Sequence, residues 1–499
     1  MRLTRPQHWP ALEQLWSLAT VALVALRVQL TPIAPNDFWW HLATGRLIAN
    51  TGHIPRLDQF SYTRTAMPYY NQPWLAQLFM YRVYQIGGAA LLELVQAVII
   101  GATFALLFRL CHNAGLSARM AALVTLCGAL VAMDNWQIRP QTYALPLFIS
   151  SLYILERWRC AGRAALWCLP LLMVIWVNLH GTFTLLLVLC AAYLVGPLID
   201  RLLQHPRAPW IWAALLRLAA WTAVTLAATL LNPRSWAIWL YIANLLRNQS
   251  VTQLVTEWAS PLRNPWEPMT IVFWLLLALF VVFIARCRRK LESTHMLLAA
   301  GFTLLALQSV RNILWWGSIA ALICAYLLAR ERPATNRRHL ELPLLNRMIA
   351  TLLAALLLAT LPWWKAGLGL PPELGNLLSV QTPRTATTQL QRLPILPQHL
   401  FHEMGFGSYL IWAAPNQRVF VDPRIELYPY EQWRDYILLG QGRNVDELAQ
   451  RYHFDGWLIN PAAQRDLLTA LDHDPRWQRL FTTPDAVYFG PATAHTPLP

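Results

Sequence analysis

The sequence predicts a mainly α-helical, polytopic transmembrane bundle of about 11 spans with a small C-terminal α/β domain, and three observations lead there. Of 499 residues, 56% are hydrophobic and only 13% charged, against about 25% charged in an average soluble protein. The apolar residues fall in long runs separated by arginine-bearing linkers. From residue 371 onward the runs shorten and the balance turns acidic, with 10 Arg against 13 Asp or Glu. The net charge of +15 therefore belongs to the membrane part, where it is a topology signal, and nucleic acid is not expected as a partner.

Taken in order, the apolar segments run over 12–32, 89–108, 118–134, 141–156, 164–178, 182–199, 213–231, 269–285, 293–309, 313–329 and 348–363. Several are shorter than the roughly 20 residues of an upright span. The first follows a basic start (Arg2, Arg5) without a small-residue cleavage site, and so reads as a retained anchor. One set of linkers holds Arg2, Arg5, Arg109, Arg119, Arg157, Arg159, Arg163, Arg201, Arg207, Arg286, Arg288, Arg289, Lys290, Arg330, Arg332, Arg337 and Arg338. The positive-inside rule makes that set cytoplasmic. Eleven spans then leave the C-terminus outside, which in a bacterium is the periplasmic side of the inner membrane. The expected domains are a transmembrane part over 1–369 with a long first periplasmic loop (33–88), a linker over 370–398 and a periplasmic α/β domain over 399–499. All seven cysteines lie in spans or cytoplasmic linkers, so the exported parts have no disulfide framework.

The distinctive polar motifs sit in the other set of linkers. Pro35 to Arg46 (PNDFWWHLATGR) follows the first span. With Asn36 as helix cap, Asp37, His41 and Thr44 share one face; the alternative is a plain surface cap with Trp39 and Trp40 as interfacial anchors. The same loop carries the segment Tyr69–Trp74 and an amphipathic run from Trp74 to Ile86. Beyond it come NWQIRPQ with Arg139 and Gln141, NLHG with Asn178 and His180, and LNPRSW with Asn232. A second amphipathic helix, TEWASP with Glu257, and VRN with Arg311 and Asn312 complete the set.

Each motif has a bland alternative: headgroup snorkelling for the arginines, interhelical glue for Asn178 and His180, a helix stop at Asn232 before Pro233, and surface solvation for Glu257. Their joint placement on one side argues for more. Arginine forks suit phosphate, and a carboxylate or imidazole near an acceptor hydroxyl removes its proton. No zinc spacing, serine elbow, Walker loop or dinucleotide fingerprint occurs, and no internal repeat is evident.

The strings DFWWHLATGRLIANTGHIPRLDQFSYT, QIRPQ, NLHG, LNPRSW, TEWASP, GSYLIW and VFVDPRIELYP resemble those of a widespread group of bacterial membrane proteins. The order of features resembles the GT-C superfamily of membrane glycosyltransferases, which includes protein mannosyltransferases, arabinosyltransferases and oligosaccharyltransferases. The resemblance implies transfer of a sugar from a polyprenyl-phosphate carrier in the lipid bilayer to a glycan, lipid or protein acceptor on the outer face. It gives Asp37 the role of general base or acceptor-binding carboxylate, with His41 and Glu257 beside it as catalytic candidates. Arg139, Gln141, Asn178, His180, Asn232, Arg311 and Asn312 become donor-phosphate or substrate residues. A divalent cation, Mg or Mn, has Asp37 and Glu257 as candidate ligands; many of these transferases carry a second acid beside the first, but Phe38, Trp39 and Trp40 follow Asp37 here. A transporter or flippase, and a non-catalytic envelope assembly protein, are the alternatives.

In the C-terminal domain, Ser408–Trp412, Arg418–Val421, Gly456–Ile459 and Ala486–Phe489 read as strands, and 430–440, 444–452 and 462–471 as helices. GFGSY at 405–409 matches no phosphate loop. Asp422-Pro423-Arg424 reads as a strand-end turn or as a site facing the membrane cavity.

Overall fold

The computed structural model describes residues 11–162, 164–203, 212–287, 291–331 and 342–492. Of the charges behind the topology expectation, Arg2, Arg5, Arg163, Arg207, Arg288, Arg289, Lys290, Arg332, Arg337 and Arg338 lie outside the described residues. The helices are α1 (Leu12–Gln29), α2 (Pro35–Thr51), α3 (Trp74–Asn113), α4 (Ala118–Ala132), α5 (Pro140–Ala161), α6 (Cys168–Leu179), α7 (Thr184–Leu202) and α8 (Trp212–Ala228). Then follow α9 (Ala237–Arg247), α10 (Gln249–Leu254), α11 (Pro268–Cys287), α12 (Ser293–Gln308), α13 (Ile313–Glu331) and α14 (Pro343–Ala359). After them come α15 (Pro372–Gly375), α16 (Arg384–Leu390), α17 (Met404–Ala413), α18 (Tyr430–Gly440), α19 (Val445–Tyr452) and α20 (Arg465–Asp472). Four strands, β1 (Leu400–His402), β2 (Gly456–Ile459), β3 (Trp477–Thr482) and β4 (Val487–Pro491), form one sheet.

Each of the eleven apolar segments is helical. Among the described residues, however, five helices and not eleven are long and apolar enough to cross a membrane: Trp74–Asn113, Ala118–Asn135, Gly181–Leu202, Pro268–Cys287 and Val310–Glu331. Five more apolar helices have 10–17 residues. These helices fit a membrane protein.

The chain divides into two compact units, one of residues 1–31, 90–240 and 256–368, the other of residues 32–89, 241–255 and 369–499. The stretch read as the first loop is thus grouped with the C-terminal residues. In the helical unit α4 and α13 cross at a pair of glycines, where a Cβ on Gly128 would meet the Gly317 carbonyl oxygen at 2.6 Å. Small residues let helix backbones approach in this way. A buried ion pair, Lys365 Nζ to Glu93 Oε1 at 2.7 Å, ties the turn after α14 to α3, and the same ammonium donates to the Gln29 carbonyl at the end of α1.

In the other unit the sheet order is β1-β2-β4-β3, with β1 and β2 parallel and the remaining pairs antiparallel. Successive residues of a strand face opposite sides, and here both sides are covered. Phe401, Trp457, Ile459, Val487 and Phe489 enter one core. Leu400, Leu458 and Tyr488 enter the other, together with Trp40 and Ala43 of α2 and Ala386 and Leu390 of α16. That packing explains why residues 33–88 join this unit and why the expected linker over 370–398 contains an ordered helix.

Three local expectations are corrected. Asn36 is not the helix cap: α2 begins at Pro35 after Ala34, because proline's fixed φ and missing N–H suit the first helical position. Ser408–Trp412 is helical, within α17. Its N-terminus is capped by the Glu403 carboxylate, which accepts from the Phe406 N–H at 3.1 Å, and a short apolar run does not by its period distinguish a buried helix from a strand. Arg418–Val421 is not a sheet strand; Val419 makes only an isolated bridge with Ser61. The glycines of GFGSY serve close packing, since a Cβ on Gly407 would meet the Val421 carbonyl oxygen at 2.4 Å.

His402 closes β1. Its Nδ1 lies 2.8 Å from the Glu403 carbonyl, and its Nε2 accepts from the Phe420 N–H at 2.9 Å. The buried imidazole is therefore neutral, and burial lowers its pKa to about 4. An unfolded histidine takes up its proton near pH 6.5. The stabilising contribution is thus complete above pH 6.5 and is lost as the pH falls toward 4, a change of about 3 kcal/mol. Hydrogen exchange of the β1 and β2 amides between pH 7 and 4 should show it, and His402→Gln should flatten that dependence.

Candidate functional site

In the helical unit the structure brings together Arg139, Glu257, Gln141 and Arg311. Arg139 is the extended residue before α5, a conformation that Pro140 imposes on its predecessor. Its Nη1 donates to both Glu257 carboxylate oxygens, at 2.8 and 2.9 Å. Glu257 lies on the 3₁₀ turn Thr256–Trp258. Arg311, on the turn Val310–Asn312, donates to the Gln141 side-chain oxygen and lies over the Trp258 ring at 5.1 Å. The two turns are stitched together: Ser309 Oγ donates to the Glu257 carbonyl at 2.8 Å, and the Val310 N–H to the Ala259 carbonyl at 3.0 Å.

Burial pushes the Glu257 carboxyl up, but Arg139 and then Arg311 outweigh it and hold the group below the usual carboxylate range. The cluster of two guanidiniums and one carboxylate is therefore net positive. Such a cluster can take an anion: a phosphate oxygen competing with Glu257 would find charged donors already oriented.

The remaining candidates of this unit hold turns. Asn178 Nδ2 donates to the Val174 and Leu231 carbonyls at 2.8 and 2.9 Å, joining α6 to the end of α8. The Thr182 N–H donates to His180 Nδ1 at 3.3 Å at the start of the next turn. Asn232 Nδ2 donates to the Thr229 and Ser235 carbonyls at 2.7 and 2.9 Å, and Asn312 Nδ2 donates to the Leu305 carbonyl at 3.1 Å.

Asp37 and His41 belong to the other unit. Asp37 stands in the first turn of α2 and is half-buried, where a carboxylate interacts favourably with the helix N-terminus. His41 is buried one turn on, its ring in tilted contact with Trp40, with Gln77 Nε2 3.1 Å from its Nδ1. Asn71 in turn donates to Gln77 at 2.7 Å. This chain explains the Tyr69–Trp74 motif as a support for His41. Gly45 makes it possible, since a Cβ there would meet the Gln77 carbonyl oxygen at 2.2 Å.

Sequence reasoning missed Glu426. Burial pushes its carboxyl up, and the Asp422 and Asp37 charges add to that against its backbone hydrogen bond and Arg424. It is therefore an acid placed to sense the charge on Asp37. The Asp422-Pro423-Arg424 motif is a buried turn. Arg424 donates to Asp422 through Nε and Nη2, at 2.8 and 2.6 Å, and reaches Asp58 through Nη1 at 2.7 Å, while the Tyr428 hydroxyl donates to Asp422 at 2.6 Å. Also missed was a buried network at the opposite end of α5 from Arg139. There Glu156 accepts from Arg159 at 2.7 Å and lies 3.0 Å from His295 Nε2, and Arg159 also donates to Glu292.

Among the described residues no three His, Cys, Asp or Glu side chains converge to hold a metal ion. Of the two candidate ligands, Glu257 is engaged by Arg139. These donors do not fit the several-oxygen shell that Mg or Mn takes, and no chemical step is drawn through a cation.

No protein-family model matches the chain, and no curated protein matches it. Solved structures do match it, among them two of one enzyme. One is the oligosaccharyltransferase of Archaeoglobus fulgidus in its apo form, with 12% identity and a TM-score of 0.52 over 97% of this chain and 74% of that one. The other is the same enzyme tethered through a disulfide bond to an acceptor peptide containing the NVT sequon, with 12% identity and a TM-score of 0.54 over 96% and 74%. At this identity the likeness is one of fold alone.

Proposed function

We propose that the protein is a membrane glycosyltransferase. In this reading it moves a sugar from a polyprenyl-phosphate-linked donor to a glycan, lipid or protein acceptor on the periplasmic face of a bacterial inner membrane. The observation that carries the proposal is the fold shared with an oligosaccharyltransferase across almost the whole chain. Asp37 is the general base that takes the proton from the acceptor nucleophile as it attacks the anomeric carbon. The phosphate-linked carrier leaves with the electron pair of the broken glycosidic bond. Arg139 and Arg311 neutralise that leaving phosphate, with Gln141 orienting Arg311 and Glu257 holding Arg139 until the donor arrives. Asn178, His180, Asn232 and Asn312 keep the surrounding turns in place, and His41 braces α2.

One observation favours the transporter or flippase reading: the buried Glu156–Arg159–His295 network puts polar groups at the other end of the bundle as well. Consumption of a panel of polyprenyl-phosphate sugars by the protein in liposomes, with a crude cell-wall extract as acceptor source, separates the two. Hydrolysis or transfer supports the transferase; translocation of intact donor supports the flippase.

Arg139→Lys should weaken donor binding by about tenfold, because a point charge cannot reproduce the guanidinium fork. Equal donor affinity in that variant would remove Arg139 from the phosphate site.

A further inference from the structure

A cavity of about 320 Å³ opens in the α/β unit beside Glu403 and Gln464. It lies at the carboxyl ends of the two parallel strands: Glu403 follows β1 directly, and residues 460–464 follow β2. In open α/β sheets this is where ligands bind, because the loops leaving parallel strands diverge there. Position alone decides nothing, but the chemistry of the walls is specific.

Gln464 is 3% exposed and lines the cavity. Its Oε1 accepts from the Asn460 N–H at 3.1 Å, whereas its Nε2 is buried with no hydrogen-bond partner among the described residues. A buried donor without a partner is costly and calls for an explanation. A ligand oxygen in the cavity supplies one. Glu403 accepts the Phe406 N–H through Oε2, and a carboxylate has lone pairs for further donors. Tyr436, Gln441, Arg465 and Asp466 complete the polar lining. Two carboxylates against one guanidinium disfavour a phosphate or carboxylate ligand, and the first of them caps α17, where an anion would otherwise be drawn. Closely spaced donors and acceptors beside the small apolar surface of Ala462 and Ala463 suit a molecule with a hydroxyl on every carbon and a C–H face. The volume, at the lower end for a ligand site, suits one or two such rings.

We infer that this cavity is a saccharide subsite that takes a neutral sugar unit by hydrogen bonds from its hydroxyls to the Glu403 carboxylate and from the Gln464 amide to a sugar oxygen. Its place in the acceptor or donor glycan rests on the glycosyltransferase reading; its chemistry does not.

Gly440 offers the test. It ends α18 at the cavity wall, and a Cβ there would meet no heavy atom within 4 Å. Gly440→Leu therefore adds a side chain at the cavity wall whose Cβ meets no neighbour. The full-length protein in nanodiscs is titrated with N-acetylglucosamine, mannose, galactose and their β-linked disaccharides up to roughly 10 mM, with ligand-observed NMR as readout. At least one sugar should bind saturably. Its affinity should fall at least tenfold in Gly440→Leu and about fivefold in Gln464→Met, where one hydrogen bond is lost. Absence of binding across the panel, binding that Gly440→Leu leaves unchanged while the variant keeps its thermal transition, or tighter binding of sugar phosphates than of neutral sugars would each overturn the assignment. Saccharide binding without donor consumption would sink the transferase and leave the subsite standing. Donor consumption without saccharide binding would do the reverse.

Discussion

Asp37→Asn should fold as the wild type does and lose glycosyl transfer by between about 10²- and 10⁴-fold, the usual worth of a positioned base. Asparagine keeps the shape of the side chain at the third residue of α2 and can still accept hydrogen bonds near the helix N-terminus, so packing is preserved. What it cannot do is take a proton. The buried neighbours of Asp37 should not move, since Trp40 is fixed by the sheet-side core, Trp39 by Tyr409 and Trp412, and Phe38 packs on Trp39. Glu426 provides an internal comparison. It feels the Asp37 charge and is pushed up chiefly by its own burial. Removing the Asp37 charge should lower the pKa of Glu426, and Glu426→Gln should cost less activity than Asp37→Asn. The measurement is single-turnover consumption of lipid-linked donor in liposomes for the three proteins. If Asp37→Asn turned over within about threefold of wild type, less than a positioned base contributes, the base would have to be sought elsewhere.

Much of the helical architecture was legible in the sequence because burial in lipid or among helices demands long apolar runs. All eleven runs became helices, with Pro140 and Pro343 at first turns as proline's fixed φ favours. The partnership of residues 32–89 with the C-terminal unit was not legible. It rests on Trp40 and Ala43 joining the core under β2 and β4, and a pair of apolar positions on one helix does not say which distant surface will cover them. The strand reading of Ser408–Trp412 failed for a related reason, since the run is apolar on every side in both forms. In the candidate site, Arg139, Gln141, Glu257 and Arg311 were marked by their polarity at helix ends, and they do meet. Asn178, Asn232 and Asn312 carried the same mark, yet the same amide chemistry that binds a ligand also closes a turn. The contribution of Glu426 was hidden inside the apolar-looking string RIELYP, where nothing in the sequence separates a fully exposed acid from a half-buried one.

Arg424→Met should destabilise the α/β unit by about 3–5 kcal/mol, the range for breaking a buried ion pair by removing one partner. Arg424 is 3% exposed and is the shared counter-ion of Asp58 and Asp422, both of which are almost wholly buried. Methionine fills much of the volume between Phe60 and Tyr69, the rings that flank the guanidinium at 5.1 and 5.2 Å, so the loss is electrostatic more than steric. Two carboxylates would then face each other in a dry site. The pH dependence identifies the cause. In the wild type, burial raises the Asp422 carboxyl but Arg424 outweighs it, so the folded pKa is depressed. That contribution is present above the unfolded value near 3.9 and is lost as the pH falls through the folded one. In the variant the folded pKa should instead rise above the unfolded value, and protonation on acidification should restore part of the stability. The gap between the two proteins should therefore narrow from pH 7 toward pH 4. Hydrogen exchange of the β2 and β4 amides reads both proteins in the intact chain. Asp58→Asn with Asp422→Asn in the Arg424→Met background should recover part of the loss, because a fully neutral cluster no longer buries charge without a partner. A gap that stayed constant with pH would mean that the guanidinium acts through packing alone, and would return the DPR turn to the list of surfaces that could meet a ligand.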